Sequence, residues 1–325
     1  MKDRFGREIN YLRISITDRC NFRCFYCMPP AGIKPLLPSS EILSYEEILE
    51  IVKTSTNLGI TNFRITGGEP LVRKDIISLL QKMRGLSGVE SIALTTNGYL
   101  IDDFAEHLSK IGLYSINIGL NSFNRDNFKT ITGIDGLNKV RKGIRHILET
   151  GFSNLKINTV LLKDYNEEEV IAIAKLTLEY PVAVRFIEYM PCGNWETNSD
   201  SIIKGDEIIK RISGNIGELT RIEDKYGSGP AQYYRLPNAP GKIGFIMPVS
   251  HFFCADCNRI RLTADGHLKS CLLSEEEIDL KPILREIKDK RIQTIKLNEA
   301  LKNAILAKPE RHLYKRENVM SRIGG

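Results

Sequence analysis

The sequence predicts an α/β protein built on a parallel sheet. Six β-like runs recur between residues 12 and 189, and helix-like runs separate most of them. The first run, Leu-Arg-Ile-Ser-Ile-Thr, alternates apolar and polar residues as a strand does. Six strand–helix units predict an incomplete (β/α)6 barrel of the TIM type, whose active site lies at the carboxyl ends of the strands.

The predicted elements follow one another in chain order. Two helices have start signals, Ser44 with Glu47 and Asn166 with Glu169, because each pair sets a capping side chain three residues before a carboxylate. The predicted strands span residues 12–17, 62–66, 91–96, 114–120, 155–161 and 182–189, and the helices span 44–57, 74–83, 102–111, 136–149 and 166–179.

After about residue 215 the pattern changes. Short β-like runs at 233–236 and 242–247 lie among glycines and prolines, and helices follow at 279–288 and 296–307. We therefore predict two domains, a partial barrel over residues 1–215 and an α+β extension over 216–325. The polar tail ends in Gly324 and Gly325.

Length and composition fit an intracellular protein. The 325 residues, 42% of them apolar, suffice for one large domain or two moderate ones. The start of the chain has no apolar signal region, no run is long enough to span a bilayer, and the seven cysteines favour a reducing compartment. These features predict a cytoplasmic location away from membranes. The net charge of +6 suits an anionic small molecule or weak nucleic-acid binding.

Three cysteines after the first strand are the most informative feature. Cys20, Cys24 and Cys27 have the spacing C-x3-C-x2-C. A four-iron cube takes one outer ligand per iron, so three thiolates leave one iron open to bind a small molecule and pass it an electron. Three alternatives stay open: a redox pair of Cys24 and Cys27, a zinc site, and thiols without metal.

A second cysteine group lies in the C-terminal extension. Cys254, Cys257 and Cys271 are spaced C-x2-C-x13-C, which suits either another open cluster or structural zinc with His251 or His267 as the fourth ligand. Arg259 and Arg261 would point to one side of a strand, where paired guanidiniums can bind phosphate. The alternative for the two arginines is a solvated basic strand.

Other motifs lie in or at the ends of the predicted strands. Gly67 and Gly68 allow close backbone approach to a ligand, or simply a tight turn. Lys156 points either to solvent or into the barrel towards an anion. Cys192 matches neither cysteine group and is interpreted as a small apolar filler.

The first cysteine motif with Tyr26 resembles that of the radical S-adenosylmethionine (SAM) enzymes. The wider set resembles the family of molybdenum cofactor biosynthesis protein A, the GTP 3',8-cyclases. It comprises Arg-Ile-Thr-Gly-Gly-Glu-Pro, Leu-Thr-Thr-Asn-Gly, Arg-Phe-Ile-Glu-Tyr-Met-Pro, the second cysteine group with its arginines, and the terminal Gly-Gly. These motifs span nearly the whole chain in the family's order.

The resemblance implies a lyase with two [4Fe–4S] clusters. The first, on Cys20, Cys24 and Cys27, would reduce SAM to methionine and a 5'-deoxyadenosyl radical, which takes hydrogen from C3' of GTP before C3' attacks guanine C8. The free iron of the second would contact the guanine. The resemblance implies that Cys254, Cys257 and Cys271 hold the second cluster, that Tyr26, Gly68, Gly119 and Met190 line the SAM site, that Arg13, Arg64, Thr95, Lys156, Arg185, Arg259 and Arg261 bind GTP, and that Arg259, Arg261, Gly324 and Gly325 act in catalysis.

The chain departs from the family's pattern at two places. Gly119-Leu120-Asn121 stands where Ser-Leu-Asp is usual, so Gly119 offers SAM no hydroxyl. Asn62 stands where a lysine is usual two residues before Arg64, which removes one contact to the triphosphate.

The resemblance also implies partners. It implies GTP as the substrate, an electron donor such as flavodoxin or ferredoxin, a downstream pyranopterin synthase and a homodimer, with no nucleic acid and no membrane. Two rival functions stay open. A radical SAM peptide-modifying enzyme usually has more C-terminal cysteines, and a non-enzymatic Fe–S or zinc protein that binds nucleic acid would not need Gly67, Gly68 and Tyr26.

Overall fold

The computed structural model describes residues 1–28, 35–190, 202–223 and 229–311. Cys192, Gly324 and Gly325 lie outside the described residues. Six strands alternate with helices through the first part of the chain, as the sequence predicts. They are β1 (Tyr11–Ser15), β2 (Asn62–Thr66), β3 (Ser91–Thr96), β4 (Ser115–Gly119), β5 (Leu155–Leu161) and β6 (Ala183–Glu188), with helices α1 (Tyr45–Thr56), α2 (Ile76–Arg84), α3 (Ile101–Lys110), α4 (Arg125–Thr132), α5 (Leu137–Glu149), α6 (Val170–Glu179) and α7 (Gly205–Asn215).

The C-terminal part of the chain contributes six further described strands and two helices. These are β7 (Thr220–Ile222), β8 (Gln232–Arg235), β9 (Lys242–Ile246), β10 (Arg259–Leu262), β11 (His267–Lys269), β12 (Glu277–Asp279), α8 (Lys281–Glu286) and α9 (Lys290–Leu306). The sequence patterns missed α4, α7, β7, β11 and β12, and the three strands among them have only three residues each.

All of these strands belong to one sheet. Its order is β12-β11-β10-β1-β2-β3-β4-β5-β6-β9-β8-β7. The strands β1 to β6 lie side by side in chain order and pair in parallel, which confirms the predicted α/β class. The C-terminal part flanks them on both sides, because β10 pairs in parallel with β1 and β9 pairs in parallel with β6.

The two faces of this sheet differ in chemistry. Successive side chains of a strand point to opposite faces. One face carries buried apolar residues such as Leu12, Phe63 and Ile116, which belong to the core that the helices cover. The other face carries buried polar residues, among them Arg64 and Asn117. Parallel sheets are usually apolar on both faces, so a polar face indicates a ligand cavity.

The predicted start of α1 is confirmed as a capping box. The Glu47 amide donates to Ser44 Oγ at 3.1 Å, and the Ser44 amide donates to Glu47 Oε2 at 2.7 Å. These two bonds satisfy amides that the first helical turn leaves without partners.

The capping role predicted for Asn166 is wrong. Its side chain accepts from the Leu162 amide and donates to the carbonyls of Asn121 and Val160. The Glu169 carboxylate instead accepts from the amides of Phe123 and Asn124. These longer-range bonds tie together the chain segments that follow β4 and β5, and they outcompete the local cap.

Among the described residues, none of the helices combines the length and the apolar character needed to cross a bilayer.

We expect Ser44→Ala to lower the free energy of unfolding by about 1 kcal/mol, because it removes one side of the capping box. Ser109→Ala is the matched control, since Ser109 Oγ only donates to the Glu106 carbonyl on an exposed helix surface. Urea denaturation of both variants measures the difference. Equal stabilities would show that the box contributes nothing.

Candidate active site

A cavity of about 390 Å³ lies between the two cysteine groups. Cys27 and Tyr26 line one part of it, and Cys254, Cys257 and Cys271 line another. Its size falls in the range of small-molecule sites. The structure therefore brings the two groups, more than 200 residues apart in sequence, to one cavity.

The first cysteine group is held by backbone bonds to the end of α4. The Arg23 amide donates to the Thr132 carbonyl at 2.8 Å, and the Phe25 amide donates to the Ile131 carbonyl at 3.2 Å. The loop also closes on itself, because the Cys27 amide donates to the Cys24 carbonyl at 3.0 Å. The missed helix α4 is thus the platform on which the loop rests.

The thiols of this group are free, and their protons are strongly held. Burial raises the pKa of Cys20 to about 11 and that of Cys27 to about 12. Burial raises the pKa of Cys24 as well, and the neighbouring Cys27 and Cys20 add to the effect. Three neighbouring thiolates need a positive partner, and a coordinated metal supplies one because a thiol that binds it loses its proton.

Two glycines after β2 let the chain pass directly over the cysteine loop. The Gly68 amide donates to the Thr17 carbonyl at 2.7 Å, and the Glu69 amide donates to the Arg19 carbonyl at 2.8 Å. A Cβ atom at Gly68 would overlap the Arg19 carbonyl. The Gly-Gly pair is therefore a packing requirement of the loop that carries Cys20.

Tyr26 is held in place by a hydrogen bond from Asn121. Asn121 Nδ2 donates to Tyr26 Oη at 2.7 Å, while Asn121 Oδ1 accepts from the Val160 amide at 2.9 Å. This amide has both a donor and an acceptor, and the side chain uses both. An aspartate in this place could not donate to Tyr26 when ionised.

The second cysteine group lies in a cationic environment. Arg259 Nη2 donates to Cys257 Sγ at 3.9 Å, and Lys308 Nζ donates to the Arg259 carbonyl at 2.8 Å. Burial alone would raise the pKa of Cys257, but Arg259 and Lys308 outweigh it and lower that pKa to about 6.

The donor sets fit clusters better than single ions. No three His, Cys, Asp or Glu side chains in the described ranges are placed to share one metal ion. The two histidines proposed for zinc contact other groups, since His251 lies against Ser250 and Asp206, and His267 lies against Asp265. A four-iron cube binds each thiolate at a separate iron, so its three thiolates need not converge on one point.

Three arginines lie side by side on the polar face. Arg13 of β1 is in register with Arg64 of β2 on one side and with Arg261 of β10 on the other. Burial lowers the pKa of Arg13, and the positive charges of Arg261, Arg64 and Arg259 lower it further. Such crowding indicates a site for a multiply charged anion.

Neutral side chains orient the neighbouring guanidiniums. Arg64 donates to Tyr11 Oη at 2.6 Å and to Thr95 Oγ1 at 3.1 Å. Arg185 of β6 donates to Asn158 Oδ1 at 2.8 Å. With its amide oxygen turned towards them, Asn117 accepts from both Arg64 and Arg185. These contacts aim the guanidiniums without neutralising their charge.

The one described acid of the cavity wall is already satisfied. Glu188 accepts from the amides of Gly205, Val249 and Ser250 at 2.9–3.0 Å and from the Ser250 hydroxyl. The described lining contains seven cationic side chains against this single carboxylate. The cavity is therefore strongly electropositive.

Lys156 lies on the same face of the sheet but is not among the described lining residues. It is buried, and its position in β5 is paired with that of Asn117 in β4. Burial and the charges of Arg185, Arg64 and Lys242 lower the pKa of Lys156 to about 7. Of its two predicted orientations, the one towards solvent is wrong.

The structure gathers most of the predicted site residues. Gly68 contacts the cysteine loop but does not line the cavity. The predicted site residues that line the cavity are Arg13, Tyr26, Cys27, Arg64, Thr95, Gly119, Arg185, Met190, Cys254, Cys257, Arg259, Arg261 and Cys271. Among the lining residues that the sequence patterns missed are Arg7, Tyr11, Asn117, Asn158 and Lys308. The strand period could have found three of these, because Tyr11, Asn117 and Asn158 lie two residues from predicted ones.

Two family models match the chain. Residues 14–177 match the Radical SAM superfamily, and residues 182–314 match Molybdenum Cofactor Synthesis C.

Curated relatives match over nearly the full length. A GTP 3',8-cyclase from Thermodesulfovibrio yellowstonii is 46% identical over 303 residues, covering 91% of this chain and 94% of that protein. A GTP 3',8-cyclase from Desulforamulus reducens is 45% identical over 332 residues and covers 100% of both chains.

Solved structures share the fold at lower identity. Streptococcus suis SuiB bound to S-adenosylmethionine has a TM-score of 0.59 and 15% identity, covering 88% of this chain and 67% of that one. SuiB bound to the precursor peptide SuiA has a TM-score of 0.60 at 15% identity, covering 91% and 67%.

We expect Gly68→Ala to displace the cysteine loop, because the new Cβ would overlap the Arg19 carbonyl. After anaerobic reconstitution with iron and sulfide, the parent should hold about eight irons, the content of two four-iron clusters. The variant should hold about four irons, the content of one cluster. Gly214→Ala is the matched control, since no atom lies within 4 Å of a Cβ there. A full iron complement in Gly68→Ala would refute the packing argument.

Proposed function

Because the chain belongs to the GTP 3',8-cyclase family, we propose that it converts GTP into (8S)-3',8-cyclo-7,8-dihydroguanosine 5'-triphosphate, the first step of molybdenum cofactor biosynthesis. The observation that carries the proposal is the electropositive cavity between two three-cysteine groups. No simple hydrolytic or transfer reaction needs that combination.

The cofactors of this family are two [4Fe–4S] clusters and SAM, and when bound they supply the electron transfer and radical chemistry that join ribose C3' to guanine C8. We propose that Cys20, Cys24 and Cys27 hold one cluster. Cys254, Cys257 and Cys271 would hold the other. All six thiols are free and half-buried, which suits ligands that must be deprotonated on binding.

Tyr26, Gly119 and Met190 would line the SAM site beside the first group, and Gly68 would shape it by positioning the loop. All three of these residues border the same cavity as Cys27. Gly119 offers no hydroxyl, but it leaves space on the polar face. Asn121 would support this end of the site through Tyr26.

The arginine wall would bind the triphosphate. Arg13, Arg64 and Arg261 lie in register, and Arg185 joins them from β6. Guanidiniums held by neutral partners keep their full charge for phosphate oxygens, and each charged hydrogen bond is worth about 1.5–3 kcal/mol. Thr95 holds Arg64, and Arg259 connects the wall to Cys257.

This arrangement would orient GTP with its base towards the second group. The triphosphate would anchor one end, which leaves the ribose between the two groups. Holding reacting atoms in place is a large part of what a protein contributes to radical chemistry. We further propose that Arg259 and Arg261 act in catalysis by fixing this orientation.

The wider arrangement is also proposed. We infer that the sheet curves as an incomplete (β/α)6 barrel over residues 1–215, with an α+β extension over 216–325, because β9 and β10 flank the six parallel strands. Free thiols favour the cytoplasm. We also propose that the enzyme takes its electrons from a donor such as flavodoxin or ferredoxin and that a pyranopterin synthase acts downstream of it. The proposed oligomeric state is a homodimer.

The rival peptide-modifying function has weaker support. The similarity to SuiB at 15% identity extends to the fold alone, whereas the cyclases match at 45–46% identity. The cationic wall also suits a triphosphate better than a peptide backbone.

The central experiment compares Cys24→Ala with Cys257→Ala. With dithionite, SAM and GTP, Cys24→Ala should form neither 5'-deoxyadenosine nor cyclised product. Cys257→Ala should form 5'-deoxyadenosine without cyclised product. Cys192→Ala is the control, because Cys192 belongs to neither group. Loss of SAM cleavage in both variants would refute the division of roles, and absence of cyclised product from the parent would refute the function.

The pH dependence of GTP binding should report the protonation of Lys156. Its pKa is about 7 in the free protein, and a nearby triphosphate raises it, so binding takes up a proton above pH 7. The dissociation constant should then rise by up to about tenfold per pH unit between pH 7.5 and 9, where the phosphates keep their charge. Calorimetry on Lys156→Arg should remove this dependence while preserving binding. An unchanged pH profile in that variant would exclude the role.

Removing Gly324 and Gly325 should abolish cyclised product while leaving GTP binding and both clusters in place. The prediction rests on the family resemblance, in which the side-chain-free end reaches the substrate. Chromatography of the reaction products measures it. Full product formation by the truncated chain would show that the terminus has no catalytic part.

A further inference from the structure

Three distant segments of the chain meet at the second cysteine group. They are the N-terminal turn, the segment from Cys254 to Arg259, and residues 308–311 after α9. Two buried cations join them, Arg7, which is 8% exposed, and Lys308, which is 3% exposed. Both side chains also line the cavity.

An ion pair with Asp3 holds the Arg7 side chain in one orientation. Its Nε donates to Asp3 Oδ2 at 2.6 Å, and Asp3 Oδ1 accepts from the amides of Phe5 and Arg7. The guanidinium then donates to the carbonyls of Cys254 at 2.8 Å, Pro309 at 2.7 Å and Glu310 at 3.1 Å. One side chain thus connects the N-terminal turn to the cysteine segment and to the segment after α9.

Lys308 connects the two halves of the second cysteine group. Its ammonium donates to the Arg259 carbonyl at 2.8 Å and to the Ser270 carbonyl at 3.1 Å. Arg259 lies two residues after Cys257, and Ser270 lies one residue before Cys271. The lysine therefore bridges the backbone that carries those two cysteines.

Simple packing does not account for these cations. Within the described residues, Lys308 pairs with no carboxylate, and its acceptors are backbone carbonyls. Burying a charge is costly, and an apolar side chain of similar volume is often the more stable choice. Hydrogen bonds from a cation to carbonyls are directional, so what they provide is a fixed geometry.

We propose that Arg7 and Lys308 are positioning residues that fix the second cysteine group relative to the arginine wall. The proposal rests on the proposed function and deepens it. Neither side chain needs to touch the reacting atoms. Their effect is to hold the segments that carry Cys254, Cys257 and Cys271 in place beside Arg259, and hence to hold the base while the triphosphate is anchored.

The test uses Arg7→Met, Lys308→Met and the charge-conserving variants Arg7→Lys and Lys308→Arg. Lys302→Met is the control, because Lys302 is an exposed residue of α9. In the full chain before cluster loading, hydrogen exchange is measured for peptides covering residues 254–260 and 268–272. Both methionine variants should exchange about tenfold faster there than the parent, the effect of losing about one charged hydrogen bond.

The second readout is coupling in the reconstituted enzyme. The ratio of 5'-deoxyadenosine to cyclised product should rise about tenfold in Arg7→Met and Lys308→Met, with SAM cleavage itself maintained. Lys308→Arg, which keeps the charge and its donors, should restore most of the coupling. Arg7→Lys should restore less, because an ammonium cannot reproduce the guanidinium fork.

Two outcomes would overturn the proposal. Unchanged exchange would show that the cations do not hold the segments, and faster exchange with an unchanged product ratio would make their role merely structural. If Arg7→Met fails to fold, Lys308→Met and Lys308→Arg decide the matter. A parent enzyme that forms no cyclised product would refute the proposed function. The exchange measurement would still show whether Arg7 and Lys308 hold the segments of the second cysteine group.

Discussion

The rest of the structure depends on the crowding of positive charge on the polar face of the sheet. Seven cationic side chains line the described cavity, and the one carboxylate among them, Glu188, is occupied by backbone amides and a serine hydroxyl. Burial lowers the pKa values of Arg13, Arg185 and Lys156 on this face, and the neighbouring positive charges lower them further. An anion relieves this crowding, so the same charges provide affinity for a triphosphate.

The chain tolerates this face because the other face is conventionally apolar. Leu12, Phe63 and Val184 alternate with Arg13, Arg64 and Arg185, so each strand supplies one core residue for each cavity residue. The helices cover the apolar side. The strands β9 and β10 extend the same alternation at both ends of the parallel order, and β10 brings Arg259 and Arg261 beside Arg13.

Much of this could be predicted from the sequence. The bounds of β2, β3 and β5 follow directly from their β-branched runs, and the alternation of strands with helices predicts the parallel sheet. The cysteine groups are visible from their spacing. What the sequence could not give is contact between distant segments. Arg7 and Lys308 have no motif, and their roles depend on which carbonyls the fold places beside them.

Local rules failed where tertiary bonds were stronger. Asn166 has the spacing of a helix cap, yet its amide bonds to Asn121 and Val160. The short helix α4 has an N-cap at Asn124 and a terminating Gly133 with positive φ, but its weakly apolar face concealed it.

The most direct test of the central claim is calorimetric titration of the anaerobic holoprotein with GTP and with guanosine. If the cationic cavity binds the triphosphate, GTP should bind at least about 100-fold more tightly than guanosine, the effect of two charged hydrogen bonds, and equal affinities would contradict the account.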